Sequence, residues 1–256
     1  MAILEGRATP EATLGLAQRA QADHGYAPEA YRPLGRTALV CAMVGFGGYR
    51  VDRRAPEHRA ALELALARGV NLIDTSSNYT DGESESLIGE VLGERPDQRA
   101  RVILVSKVGY VQGNNMAVAK EAIARGQPFP EMVEYQAECW HCIHPDFIAD
   151  QLERSLARLR VSILDVYLLH NPEYFFTDRL HRHGVGGLEE AREEFYRRIE
   201  TAFGFLELAV AEGRLQWYGV SSNTFGRKAA TSILSRLPST RSASPCKAGS
   251  PPWVCA

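Results

Sequence analysis

The sequence predicts an α/β fold made of about five repeated strand–helix units. Three observations carry that expectation. Short apolar runs recur along the chain, too short for helices and suited to buried parallel strands. Between them lie longer stretches with apolar residues every three or four positions, the mark of amphipathic helices. The apolar runs end on polar or ionisable residues, and in barrels of alternating strands and helices that end carries the chemistry.

In chain order, residues 1–30 read as a preamble with a short helix at 12–22. Gly35 suits the turn of a small hairpin. Residues 40–46 form the first buried strand. GFGG at 45–48 lacks the spacing of a dinucleotide fingerprint and opens no helix, so it reads as a strand end needing close backbone approach or positive φ. A helix follows at 56–68, with Ala60, Leu64 and Ala67 inward and Gly69 as its stop.

Val70, Leu72 and Ile73 make the second strand, which ends at Asp74. Tyr79 follows in a polar loop, and 82–92 is a helix with Leu87, Ile88, Val91 and Leu92 in one stripe. The third strand, 102–105, ends at Ser106-Lys107; on spacing alone Lys107 is a solvated terminus. Residues 109–144 are too long for a simple connection and read as a lid, with a helix at 117–124. Cys139, His141, Cys142 and His144 have the chemistry of zinc ligands. Packed so densely, they cannot close one tetrahedron without a distant second pair, so no metal is expected. Packing under the loop is the plainer reading, and Cys139-x-x-Cys142 keeps a redox dithiol as an alternative.

Ile148, Leu152, Leu156 and Leu159 mark a helix over 145–160, with Pro145 in its first turn. The fourth strand, 163–169, ends at His170. Residues 173–187 read as an aromatic-rich loop and 188–211 as a long helix closed by Gly213. The fifth strand, 215–220, ends at Ser221-Ser222-Asn223, and 225–237 can form a fifth helix. Beyond that, 238–256 has no periodicity and reads as a disordered, low-complexity tail.

The chain has 256 residues, 45% of them hydrophobic, which suits a packed core. A net charge of -2 provides no basic footprint for nucleic acid and no polybasic membrane anchor. No apolar run approaches the roughly 20 residues of a membrane span, and the N-terminus lacks the pattern of a signal peptide. Five irregularly spaced cysteines do not make a disulfide scaffold. A soluble, cytoplasmic protein is expected.

Asp74, Tyr79 and the Gly-x-Ser-Glu start of the next helix, read with Lys107 and His170 downstream, resemble the aldo-keto reductases. The resemblance covers about 31–237 and implies an incomplete (β/α)8 TIM barrel, with strands six to eight absent. A frameshifted or truncated reductase would carry such a tail, and its open barrel edges would favour self-association. The resemblance also places Gly47, Gly48 and Tyr49 at the active-site mouth. It puts Asp74, Ser221, Ser222 and Asn223 beside the cofactor, the last three displaced by one place from the family's Ser-Asn pair. Its basic cluster for a 2′-phosphate belongs to the missing part.

The activity implied is the interconversion of a carbonyl (aldehyde, ketone or sugar) and an alcohol. Protein side chains do not donate hydride, so a nicotinamide cofactor must, with NADPH (NADP+) expected and NADH the alternative. Tyr79 would be the general acid, with a pKa of about 10 to be lowered by a neighbouring ammonium. Lys107 would supply that charge, Asp74 would anchor Lys107, and His170 would donate to the carbonyl oxygen and orient the substrate. Tyr49 would border the substrate. The alternative is a non-catalytic, reductase-like binding subunit or an inactive fragment.

Overall fold

The computed structural model describes residues 3–183 and 187–223, so the helix expected at 225–237 and the tail at 238–256 lie outside the described residues. The first helix, α1 (Pro10–His24), is capped by Thr9, whose Oγ1 accepts from Ala12 N at 3.2 Å. It packs on an antiparallel hairpin of β1 (Tyr31–Pro33) and β2 (Val40–Ala42). The hairpin around Gly35 is therefore present, but the run 40–46 is not one strand. β2 ends at Ala42, Met43 and Val44 are exposed, and β3 (Phe46–Gly47) starts a different sheet. A continuous apolar run carries no mark of the point where the backbone changes partner.

The main sheet is parallel, with β3 followed by α2 (Pro56–Ala67), β4 (Leu72–Asp74), α3 (Glu83–Gly93) and β5 (Ile103–Val108). After β5 the chain leaves the sheet for a small layer of β6 (Tyr110–Val111), α4 (Gly113–Ala124), β7 (Val133–Gln136) and β8 (Cys139–His141), in which the strands pair antiparallel in the order β6-β8-β7. It returns through α5 (Pro145–Leu159) to β9 (Leu164–His170). Then come α6 (Tyr174–His183), α7 (Leu188–Ala211) and β10 (Leu215–Ser221). The strand order is β10-β9-β5-β4-β3, parallel throughout, as in a barrel built from strand–helix repeats.

Two further expectations need correction. On α2 the inward residues are Leu62 and Leu66, whereas Ala60, Leu64 and Ala67 are exposed, Leu64 to 58%. The helix reads AALELALA, apolar on several faces, so its period does not choose between stripes. The stretch 173–187 is also not a plain loop, because α6 occupies most of it. Its aromatic and histidine residues hide a helical pattern that only tertiary packing selects.

Alternation along the strands places the chemistry. Ile103 and Val105 face the sheet's inner side with Leu72, Val166 and Leu168, while Leu104, Val108, Tyr167 and Leu169 pack outward against the helices. Lys107 and His170 continue the inner rows at the C-terminal ends of β5 and β9. At the opposite end Ala8, Leu34, Leu39 and Cys41 fill the interior. There Asp165, fully buried, accepts from Ala8 N at 2.7 Å, Leu104 N at 2.8 Å and Arg99 Nη1 at 2.9 Å. Those bonds tie the N-terminal segment to two strands. Among the described residues, no helix is long and apolar enough to cross a membrane.

The close fit of α3 on α5 passes through Gly89. A Cβ there would strike Arg158 O and lie 2.8 Å from the Leu159 carbonyl carbon. At Gly93, one turn on, the nearest atom would be 4.0 Å away, on the Arg160 side chain. Gly89→Ala should therefore lower stability by about 1–3 kcal/mol through overpacking. Gly93→Ala should be neutral or stabilise by up to about 1 kcal/mol through helix propensity. Urea denaturation of the two variants checks the contrast.

Candidate active site

Lys107 is only 3% exposed, so its ammonium must find partners inside the protein. Nζ lies 2.7 Å from Asp74 Oδ1 and donates to Asp74 Oδ2 and to Thr75 O, each at 2.8 Å. It also donates to the Tyr79 hydroxyl at 3.4 Å and sits 4.9 Å from the centre of that ring. Parallel pairing of β4 with β5 brings Asp74 opposite Val105, within reach of Lys107. Lys107 lies inside β5 rather than beyond its end.

Tyr79 begins a tight turn in which Thr80 and Asp81 adopt left-handed conformations, at φ 48° and 56°. A β-branched residue rarely holds that conformation unless its surroundings impose it. Here the second layer supplies the restraint. Asp81 Oδ1 accepts from Asn114 N at 3.3 Å, at the start of α4, and Asp81 O accepts from Asn114 Nδ2 at 3.1 Å. The expected lid is thus fastened to the loop that carries Tyr79.

His170 stands across the site, with its ring edge-on to Tyr79 at 5.8 Å between centroids. Tyr49, 64% exposed, is edge-on to Tyr79 at 5.3 Å on the outer side. The structure therefore gathers Asp74, Tyr79, Lys107, His170 and Tyr49 in one place. Sequence reasoning missed Ser76, whose Oγ lies 3.2 Å from His170 Nδ1. It also missed Tyr110, edge-on to His170 at 4.7 Å and bonded through its hydroxyl to Asn171 Nδ2 at 2.7 Å. Neither stands out in sequence, since one is a serine in a polar loop and the other a tyrosine in the second layer.

The four residues weighed as metal ligands have separate partners. His141 Nε2 donates to His170 O at 2.7 Å, Cys142 Sγ to Pro130 O at 3.4 Å, and His144 Nδ1 accepts from Asp146 N at 3.3 Å to cap α5. Cys139 meets the side chain of Gln112. Burial holds the Cys139 thiol above its ordinary value and pushes that of Cys142 up to about 12, so neither is a ready thiolate.

Gly47, Gly48 and the Ser221–Asn223 segment flank the same strand ends. Gly48 is pinned, with its N donating to Asp74 O at 2.8 Å and no room for a side chain against Ser84 Oγ. At Gly47 an added Cβ would meet nothing within 4 Å. Ser221 pairs in register with His170, and its carbonyl accepts from Asn171 N at 2.6 Å. Ser222 Oγ and Asn223 N both donate to Glu173 Oε1, at 2.5 Å and 3.2 Å. Of that trio, Ser221 lies nearest His170 in the strand pairing.

The electrostatics differ from the sequence expectation in one respect. The Tyr79 phenol is raised above its ordinary value of 10.0, first by burial and then by the Asp74 carboxylate. Lys107 does not lower it on balance, because Asp74 neutralises the ammonium at close range. Burial also lowers Lys107, with Asp74 opposing. His141 is lowered to about 4 by burial, and His170 to about 2 by burial, then by Lys107 and His141.

Both histidines are thus neutral when folded, and each takes up a proton more readily when unfolded, near 6.5. The unfolded state binds more protons below that value, so stability should fall as pH falls, for His141 from 6.5 to about 4. Each histidine can contribute up to about 1.4 kcal/mol per pH unit. Urea denaturation at about pH 7 and about pH 5 should show this loss. His141→Gln, which keeps an amide donor toward His170 O, should reduce it.

The Aldo/keto reductase family profile matches residues 43–233. The chain is 29% identical over 155 residues to a 6-dehydroglucose reductase of Novosphingobium aromaticivorans, covering 57% of this chain and 43% of the relative. It is 25% identical over 146 residues to an NADH-specific methylglyoxal reductase of Escherichia coli, covering 54% and 40%. The chain spans less than half the length of these two relatives. In fold it is similar to an aldo-keto reductase from Bacillus halodurans, with TM-score 0.52, 22% identity, and 75% and 50% of the two chains covered. A thermostable aldo-keto reductase solved with the inhibitor epalrestat gives TM-score 0.52 and 22% identity over 80% and 58%. With the profile covering most of its length, the chain belongs to the aldo/keto reductase family.

Proposed function

We propose that the protein is an oxidoreductase interconverting a carbonyl compound and an alcohol with NADPH, NADH being the alternative cofactor. One observation carries the reading: Lys107 Nζ contacts both the Asp74 carboxylate and the Tyr79 hydroxyl at the C-terminal end of a parallel sheet. That arrangement poises a proton at Tyr79 Oη. The raised phenol remains protonated at neutral pH and so can serve as an acid. As negative charge grows on the carbonyl oxygen and the phenol gives up its proton, the adjacent ammonium stabilises the phenolate. Asp74 and Thr75 O hold that ammonium still, so little reorganisation is needed. His170 lies across the ring of Tyr79 and positions the reacting oxygen, while Tyr49 borders the entrance.

The nicotinamide supplies the hydride when bound. The residues present suit its amide end. Ser221 offers a hydroxyl at a strand end beside His170, and Gly47 leaves space on the opposite side of the sheet's mouth. The substrate class is a small aldehyde, ketone or sugar, and the names of the relatives, a dehydroglucose reductase and a methylglyoxal reductase, fall in that range.

The test is oxidation of NADPH and of NADH with a panel of such carbonyls. Tyr79→Phe should lower kcat by at least about 10²-fold, the loss typical of a missing general acid. Unchanged turnover would remove Tyr79 from the chemistry. Lys107→Met keeps much of the stem but no charge, and it should shift the Tyr-linked limb of the pH–rate profile upward. An unaltered profile would leave Lys107 a purely structural cation.

A further inference from the structure

Up to Ser77 the loop after β4 is tied to the neighbouring strand. Thr75 N donates to Val105 O at 2.8 Å and Ser77 N to Lys107 O at 3.1 Å. From Gly82 onward the chain is held by α3, where Ser86 Oγ donates to Gly82 O at 3.0 Å. Tyr79 lies between, in a turn whose next two residues are left-handed. Aspartate tolerates that conformation better than threonine does, so the turn needs a hold from outside. The start of α4 gives one on each side of Tyr79. Gln112 Oε1 accepts from Asn78 Nδ2 at 3.2 Å. Asn114 donates through N to Asp81 Oδ1 and through Nδ2 to Asp81 O. Between them Gly113 has φ 49°, and an added Cβ would overlap Asp81 Oδ1. The helix gains from the contact as well. Its cap residue, Gln112, makes no side-chain cap bond, and its first turn holds no acid. A carboxylate at a helix N-terminus satisfies a free N–H and meets the positive end of the dipole. Asp81 supplies that carboxylate from 33 residues earlier in the chain.

We infer that Asp81 is a positioning residue for the Tyr79 phenol: by capping α4 from outside that helix, and with Gln112 holding Asn78, it brackets the turn that carries the ring. Its catalytic meaning rests on the function proposed above. The Tyr79 hydroxyl is 3.4 Å from Lys107 Nζ, already long for a hydrogen bond. A small drift of the turn would therefore break the contact that stabilises the phenolate. Asp81 and Gln112 act through Tyr79, so the bracket bears on kcat rather than on cofactor affinity.

Carbon-13 spectra of the full chain, labelled at tyrosine Cζ, report the phenol without any turnover. The Tyr79 signal is the one lost in Tyr79→Phe. Asp81→Ala should move or broaden that signal. Asp81→Asn keeps an acceptor oxygen and tolerates the left-handed conformation, so it should retain the wild-type signal. Gly113→Ala drives a methyl group at the carboxylate and should disturb the signal in the same way. In the Asp81→Ala background it should add little beyond the strain of its own φ, because the obstacle is gone. With NADPH and a carbonyl, Asp81→Ala should lower kcat by between about 10-fold and about 10²-fold, the scale of a small misplacement, with the NADPH dissociation constant unchanged. If Asp81→Ala does not fold, Gln112→Ala, which frees Asn78 alone, should move the Tyr79 signal by a smaller amount. A folded Asp81→Ala with an unmoved signal, or an Asp81→Asn as disturbed as Asp81→Ala, would overturn the inference. So would an unmoved signal in Gln112→Ala where Asp81→Ala fails to fold. A moved signal in a protein without carbonyl turnover would count against the proposed function and leave the bracket standing.

Discussion

An ammonium that is almost entirely enclosed has to be neutralised where it sits, and the Lys107–Asp74 pair does so at 2.7 Å. The neighbouring structure answers to that demand. Asp74 must end β4 beside β5, so these strands run parallel and in one register. Gly48 must lack a side chain, because its backbone bonds to Asp74 O. The helix after Tyr79 is anchored by Glu85, a buried carboxylate accepting from Ser106 Oγ on β5 at 2.5 Å and from Arg158 Nε on α5 at 2.7 Å. The ion pair and this second charged contact hold strand, loop and helix to each other from two sides of β5.

The second layer contributes more than cover. Among its contacts with the site are Asn114 on the Tyr79 turn, Tyr110 on the ring of His170, and His141 on its carbonyl. Each contact acts on the position of a proposed catalytic side chain rather than on substrate. Gly109 lets the layer begin there. Its φ is 149°, and an added Cβ would lie 2.5 Å from His141 Nε2 and 2.9 Å from His170 O. The segment therefore passes His170 more closely than a residue with a side chain could.

Much of this was legible in the sequence, and for identifiable reasons. Leu87, Ile88, Val91 and Leu92 repeat with helical spacing, and all four are buried on α3. Asp74, Lys107 and His170 each close an apolar run, which made their positions visible, but a terminal lysine or a lone histidine has an ordinary explanation, and their roles needed the resemblance. Tyr79 needed the resemblance, since a phenol in a polar loop is unremarkable by itself. The inward face of α2 was misread because alanine and leucine alternate too freely to define one stripe. Ser76 was invisible for another reason. Its partner is a histidine 94 residues away, and local spacing encodes no such distance.

The alternation of β5 has a consequence for how such a chain can change. Ile103, Val105 and Lys107 share one side, while Leu104, Ser106 and Val108 share the other. A single codon gained or lost inside this strand would exchange the two sets. It would aim an ammonium at the helices and press Ser106 into the cavity. Gaining two codons would restore the sides but displace Lys107 along the strand by about 6.6 Å, out of reach of Asp74. Length variation is thus barred from the strand and tolerated after it, in the residues following Gly109, where the chain already carries an additional layer. Drift in the size of this protein has one safe outlet on that side, and it opens beside the chemistry.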